Sequence, residues 1–267
     1  MPGYDKETSP TVNSLPVKIP FVQLEDVSRC FDSINAVQNV SLQVERGTIF
    51  GFVGSDGAGK STLLRMVATM IRPSSGRILI DGLDVVTQKT KIKHLMGYMP
   101  QRFGLYQDLT VGENLDFFMD IFGIFGEERE KRREHYLGFS NLLPFLERLA
   151  GDLSGGMKQK LGLACVLVHQ PKVLILDEPT NGVDPVSRQE FWEILADMKR
   201  EGMTILISTS YLDEGEKCDR LALMHKARVF ETATPEAIQS HFPTLEAAMI
   251  NRIQEEDEGL LHDRFQL

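Results

Sequence analysis

The sequence predicts an α/β fold with a parallel-sheet core, an antiparallel β subdomain and an inserted helical subdomain. Three observations predict it. First, an apolar stretch at residues 48–53 runs into a glycine-rich loop and then a helical stretch at residues 62–68. Second, residues 173–178 and 204–208 are apolar runs of strand length, the kind buried on both faces of a parallel sheet. Third, residues 103–170 carry helical spacing and no strand signal.

The chain has 267 residues, which suits a single α/β domain with an insert. An apolar share of 42% supports a real core. The net charge of −9, without a long basic run, argues against a nucleic-acid partner. No stretch approaches ~20 consecutive apolar residues, and the first residues have no apolar signal segment. Cys30, Cys165 and Cys218 are odd in number and far apart, so they read as free thiols of a reducing compartment.

Taken in order, residues 1–20 hold five prolines and glycines among small polar residues and are expected to be a flexible leader. Residues 21–26 and 40–44 alternate apolar and polar, as half-buried antiparallel strands do. Residues 77–82 form a short strand with a turn, and residues 97–101 a strand ending at Gln101. Thr110 and Glu113 make a capping box that starts a helix near Val111, with Leu115, Phe118, Met119 and Phe122 on one side. Residues 127–135 are a charged helix with Glu127–Lys131 and Glu128–Arg132 pairs, and Lys131, Arg132 and Arg133 are expected on a solvated face. Phe191, Ile194, Leu195 and Met198 mark another amphipathic helix. Residues 221–225 and 228–231 close the core as two strands with a turn at Lys226 and Ala227. A helical tail follows from Pro235, and its acidic run at residues 255–258 is expected to be solvated. The implied units are a leader (1–20), a core with the antiparallel subdomain (21–102 and 171–233), a helical subdomain (103–170) and a tail (234–267).

Gly54, Ser55, Asp56, Gly57, Ala58, Gly59, Lys60, Ser61 and Thr62 fit a phosphate-binding loop between strand and helix. Glycines let successive N–H groups point inward around an anion, and the helix start adds its own N–H groups and dipole. Lys60 is expected to reach the outer phosphates, and the Ser61 hydroxyl to hold magnesium. Asp177 and Glu178 end a buried strand, where open α/β sheets place their ligands. Asp177 is expected to hold the magnesium, and Glu178 to orient and polarise the attacking water. A second helix start, at Ser154, Gly155 and Gly156, is either a plain helix cap or a second anion-facing surface.

These motifs, with Gln101, residues 153–159, Pro179, Thr180, Asn181, Gly182, Val183 and Asp184, stand in the order and spacing of an ABC-transporter ATPase subunit. The resemblance covers roughly residues 21–249. It implies a P-loop NTPase of the ABC type that binds ATP with Mg2+ in a head-to-tail dimer. Ser154, Gly155 and Gly156 of one subunit then contact the ATP held by the other, and Asp184 faces the partner. Gln101 is implied to contact magnesium or the attacking water. Phe31 matches the aromatic that stacks on adenine, with a core or edge-strand aromatic as the alternative. Ser210 stands where the family has a switch histidine, which puts the rate of hydrolysis in doubt but not ATP binding.

Ser210 and residues 98–106 narrow the resemblance to the first ATPase half of bacterial tandem-ATPase drug exporters. Those work with separate ABC-2 type permeases. The implied partners are permease subunits and a second ATP-binding subunit, as homodimer or heterodimer. The implied location is the cytoplasmic face of the cell membrane. A stand-alone subunit and one half of a tandem ATPase both fit the length. Three functions stay open: a hydrolysing exporter subunit, a low-turnover dimerisation subunit beside an active sister site, and a soluble non-transport ABC ATPase.

Overall fold

The computed structural model describes residues 20–265, with side chains through Asp257. The expected leader lies outside the described residues except for Pro20. Strands β1 (Val22–Phe31) and β2 (Ile34–Val44) form an antiparallel hairpin paired from Val22↔Val44 to Phe31↔Ile34. Both are longer than the alternation suggests. Register shifts follow Leu24 and Val27, and Asp26 and Asn39 adopt left-handed backbones, so the period breaks while the pairing continues. Strand β3 (Ile49–Gly54), buried throughout, leads through the glycine loop into helix α1 (Lys60–Val67). Strands β4 (Ser75–Ile80) and β5 (Leu83–Asp84) complete an antiparallel sheet of order β2-β1-β4-β5. Helix α2 (Lys89–Lys93) precedes strand β6 (Met96–Met99).

Three helices follow: α3 (Val111–Ile121), α4 (Gly126–Phe139) and α5 (Gly155–Leu167). The capping box is present: Glu113 N donates to Thr110 Oγ1 at 3.1 Å, and Thr110 N to Glu113 Oε2 at 2.8 Å. The basic run on α4 is not a solvated face. Arg133 donates to both carboxylate oxygens of Asp116 at 2.6 and 2.8 Å, and Arg132 donates to Val168 O at 2.5 Å. Helical spacing puts Arg129, Arg132, Arg133 and buried Tyr136 on the packed side, leaving Lys131 exposed. The two arginines therefore tie α4 to α3 and to the end of α5.

The chain returns through strand β7 (Val173–Asp177), helix α6 (Pro185–Arg200), strand β8 (Thr204–Thr209) and helix α7 (Leu212–Gly215). Strands β9 (Arg220–His225) and β10 (Arg228–Ala233) precede helices α8 (Pro235–Gln239) and α9 (Leu245–Phe265). The second sheet has the order β10-β9-β3-β8-β7-β6, parallel from β9 to β6 with β10 antiparallel at one edge.

Alternation along β3 divides the core. Phe50 and Phe52 pack with Leu63 and Leu64 of α1, while Ile49 and Val53 join a cluster with Leu163 and Phe191 of α5 and α6. Each such buried side chain contributes about 1.5–3 kcal/mol. The sheet is thus held rigid on both faces, and its strand ends are fixed in space. The acidic run of the tail is only partly solvated. Asp257 accepts from His225 Nε2 at 2.9 Å and from Lys226 Nζ at 2.5 Å, because the turn at Lys226 and Ala227 brings both side chains up to α9.

Candidate active site

Strand β3 delivers the glycine loop at its carboxyl end. Gly59 has a φ of 104°, and a Cβ there would lie 2.3 Å from Ala36 O, so only glycine closes the loop against β2. Helix α1 starts without a side-chain cap, so no side chain claims its first N–H groups. Lys60 is 3% exposed. Its Nζ donates to Gly54 O at 2.8 Å, Ser55 O at 3.1 Å and Ser210 Oγ at 3.2 Å, and lies 3.3 Å from Glu178 Oε1. A cleft of about 390 Å³ opens beside it. Residues 56–62 line the cleft with Gln101, Glu178, Asn181 and the β2 residues Ile34, Asn35 and Ala36.

Strands β7 and β8 run side by side, with Asp177 level with Ser208. Asp177 Oδ1 accepts from Ser61 Oγ at 2.7 Å and from Ser208 Oγ at 2.8 Å. Its Oδ2 is buried and has no hydrogen-bond partner. A carboxylate oxygen left like this is costly, by ~1–3 kcal/mol or more, unless a cation or water satisfies it. Hydroxyl and carboxylate oxygens side by side fit Mg2+, which takes few protein ligands and completes its shell with phosphate and water. Tyr98 on neighbouring β6 has its hydroxyl pushed above the ordinary range, first by burial and then by the charge of Asp177.

Glu178 follows in a left-handed backbone, φ 48°, held by its N–H donating to Ser208 O and Oγ at 3.1 and 3.0 Å. Its carboxylate accepts from Gln101 Nε2 at 3.0 Å, Asn181 Nδ2 at 3.4 Å and Ser210 Oγ at 3.3 Å. Ser210 Oγ also lies 3.2 Å from Asp56 Oδ1. Thus Lys60, Ser61, Gln101, Asp177, Glu178 and Ser210 converge at the carboxyl ends of four neighbouring parallel strands, β3, β8, β7 and β6.

Ser154, Gly155, Gly156 and Asp184 lie apart from this cleft, and none lines it. Ser154 caps α5 by accepting from Met157 N at 3.3 Å, and both Ser154 and Gly155 are exposed. A Cβ on Gly156 would lie 2.3 Å from the Ser187 side chain, so the start of α5 packs closely on α6. Asp184 caps α6 through Ser187 N at 3.0 Å, and that bond holds its carboxyl below the usual range. The two helix starts therefore meet at Ser187. Phe31 does not line the cleft either. It is 40% exposed, with the Arg29 guanidinium 4.3 Å from its ring centroid, across the hairpin from Ile34, which does.

Two residues of the cluster, Ser208 and Asn181, are assigned no role in the site by the sequence. Ser208 is a buried polar residue at the end of an apolar run, and the same pattern at Asp177 is the sign that could have found it. Asn181 lies three residues beyond Glu178, within reach of its carboxylate across the turn.

A family model described as ABC transporter matches residues 37–181. The chain is 49% identical over 203 residues to the probable multidrug ABC transporter ATP-binding protein YbhF of Escherichia coli (strain K12), covering 76% of this chain and 35% of that protein. It therefore spans about a third of YbhF. It is 35% identical over 223 residues to the ABC transporter ATP-binding protein NatA of Bacillus subtilis (strain 168), covering 81% of this chain and 91% of NatA. A solved dimeric structure of the ATP-binding cassette MJ0796, in a post-hydrolysis state bound to ADP and Pi, superposes with a TM-score of 0.71 at 25% identity, covering 80% of this chain and 98% of that one. With a family match over more than half its residues and a relative covered over 91% of its length, the chain belongs to the ABC transporter family as an ATP-binding domain.

Proposed function

We propose that this chain is the ATP-binding and ATP-hydrolysing subunit of an ABC exporter, of the ABC-2 type, which dimerises around ATP to drive a separate permease at the cytoplasmic face of the cell membrane. The observation that carries this reading is the Lys60–Glu178 contact of 3.3 Å above Asp177, which puts a phosphate-binding cation and a base in one corner. Lys60 and the N–H groups of residues 54–62 hold the phosphates, and Phe31 stacks on adenine at the mouth of the cleft. Magnesium, held by Ser61 and Asp177 with Gln101 beside them, supplies charge neutralisation on the phosphates. Glu178 takes the proton of the attacking water, kept in place by Gln101, Asn181 and Ser210. Ser154, Gly155 and Gly156 of a second subunit close over the nucleotide, and Asp184 faces that subunit. The second subunit is another copy or a sister ATPase. The units are the core (21–102 and 171–233), the helical subdomain (103–170) and the tail (234–267).

Support for the permease comes from the segment after Gln101. Phe103, Leu105, Phe117 and Phe118 are only half-buried, and Tyr106 is 47% exposed. Tyr106 meets Phe117 edge-on at 4.6 Å, leaving an apolar surface suited to a short permease helix. One observation favours a second reading, a slow or silent site: Ser210 is shorter than the family's histidine and uncharged.

Glu178→Gln tests the main reading. Phosphate release should fall ~10²–10³-fold with ATP binding kept. Mg-ATP should then accumulate a dimer in sedimentation runs, with or without a sister ATPase. Monomer in every run would sink the dimer.

A further inference from the structure

Glu214, on α7, has a fully buried carboxylate that nucleotide binding leaves unexplained. Oε1 accepts from Thr180 Oγ1 at 2.5 Å, and Oε2 accepts from Thr209 Oγ1 at 2.6 Å. These are lengths of charge-assisted O–H···O bonds. Arg188 Nε lies 3.9 Å away, and the same guanidinium donates to Asp213 at 2.6 Å and covers the Tyr211 ring at 4.5 Å. Burying a carboxylate is expensive even when paired, and an apolar residue would fill the space more cheaply. The arrangement therefore asks for a role beyond packing.

Thr180 lies in the turn after Glu178, and Thr209 ends β8 just before Ser210. Thr180 lies two residues beyond Glu178, and its carbonyl accepts from Val183 N at 3.1 Å, closing the turn that carries Asn181. Thr209 precedes Ser210, and its hydroxyl oxygen also accepts from Tyr211 N at 3.0 Å. Ser210 is thereby held from both sides. One rigid carboxylate spans both segments, and across that span Ser210 Oγ stands 3.3 Å from Glu178 Oε1.

We propose that Glu214 is a positioning residue that sets the spacing of Glu178 and Ser210 over the phosphate loop by holding Thr180 and Thr209. This rests on the reading of Glu178 as the base. Small displacements of a base from its attack geometry cost rate while leaving ground-state binding alone, so the signature is a loss in kcat without a loss in affinity.

The test uses the full chain and reads four quantities: kcat for phosphate release, KM for Mg-ATP, affinity for a fluorescent ADP analogue, and Tm. Thr180→Val and Thr209→Val remove each hydroxyl at nearly constant volume. Thr180→Ser and Thr209→Ser keep it, and Glu214→Gln removes the charge. The valine and glutamine variants should lose about tenfold or more in kcat, with KM and ADP-analogue affinity within about twofold of wild type. The serine variants should recover most of the rate. Unchanged kcat in the valine and glutamine variants, beside a silent Glu178→Gln, would overturn the positioning role and leave Glu178 as base. Serine variants as poor as valine ones, with affinity and kcat falling together, would overturn it in favour of packing. A wild type that releases no phosphate would end the reading of Glu178, and this inference with it.

Discussion

Helices α1 and α5 both begin at glycines, yet their starts are finished to different degrees. At α1 the loop is closed against Ala36, Lys60 is buried among carbonyls and a carboxylate, and Asp177 backs Ser61. At α5 the Ser154 side chain accepts one N–H, and Ser154 and Gly155 face outward. The cations nearby are committed elsewhere: Lys158 Nζ donates to Gly151 O at 2.9 Å, and Lys160 Nζ to Glu190 at 2.7 Å. A helix start alone offers ~0.3–1 kcal/mol to an anion, while hydrogen bonds to a charged group add ~1.5–3 kcal/mol each. On the proposed function, the first start binds a phosphate by itself, and the second adds to binding only when another molecule brings the phosphate to it.

Lys60→Ala should break the contrast most severely. It takes the charge from the α1 start and leaves two helix starts of similar strength. ATP affinity should fall by roughly 30–100-fold and phosphate release by ~10³ or more. Calorimetric titration with Mg-ATP checks the first, and a phosphate-release assay the second. Affinity within twofold of wild type would mean that backbone N–H groups alone distinguish α1.

Ser210→His sharpens the α1 side. The serine hydroxyl lies 3.2 Å from Lys60 Nζ and 3.3 Å from Glu178 Oε1, so it is already engaged with the cation and the carboxylate of the site. A histidine reaches further and can donate to a phosphate oxygen. The basal rate should rise about tenfold to a hundredfold at unchanged ATP affinity. A wild-type rate already typical of active ABC ATPases, unmoved by histidine, would show that other groups position the water.

The contrast also explains what the sequence made legible. The glycine loop, the buried strands and the Thr110–Glu113 capping box are local patterns with local causes, so they read directly. Asp177 and Glu178 read as a pair because strand ends are where parallel sheets place ligands. Ser208 and Glu214 did not read, because Asp177 at the end of β7 and Thr180 just beyond it are distant in sequence and are brought to them only by the β7–β8 register. Arg132 and Arg133 misled for the same reason: charge in a helix looks solvated until a neighbouring helix supplies a carboxylate or carbonyl. Phe31 and the four residues near Ser187 lie away from the cleft, and the roles proposed for them would need a nucleotide and a second subunit.

Ser154→Ala tests the α5 side with a smaller effect. Loss of the cap should cost ~1 kcal/mol of stability. On the proposed function, in which this serine meets ATP across the dimer, nucleotide-driven association of the Glu178→Gln background should weaken about five- to tenfold, while single-subunit ADP affinity stays put. Sedimentation equilibrium and ADP titration separate the two. Weakened ADP binding to the monomer would place Ser154 in its own subunit's site and erase the contrast.

The smallest expected effect comes from the tail, which backs α1 and not α5. Asp257 holds His225 and Lys226 at the β9–β10 turn, and in that turn Ala227 O accepts from Gln38 N at 2.7 Å, two residues from Ala36. The Lys226 hydrogen bond is the largest influence holding the Asp257 carboxyl below the ordinary range, with His225 adding to it. A carboxylate depressed in the folded state contributes stability above its unfolded pKa and loses it as pH falls through the folded value. The contact is exposed to solvent and screened, so its contribution is small. Asp257→Asn should lower Tm by about one degree near neutral pH, and the gap from wild type should close below about pH 4. ADP affinity should shift by less than about twofold, and ATP-driven association should not move beyond that. A large loss of ADP affinity in Asp257→Asn would mean that the tail holds the α1 loop in shape, making the better-finished helix start dependent on the end of the chain.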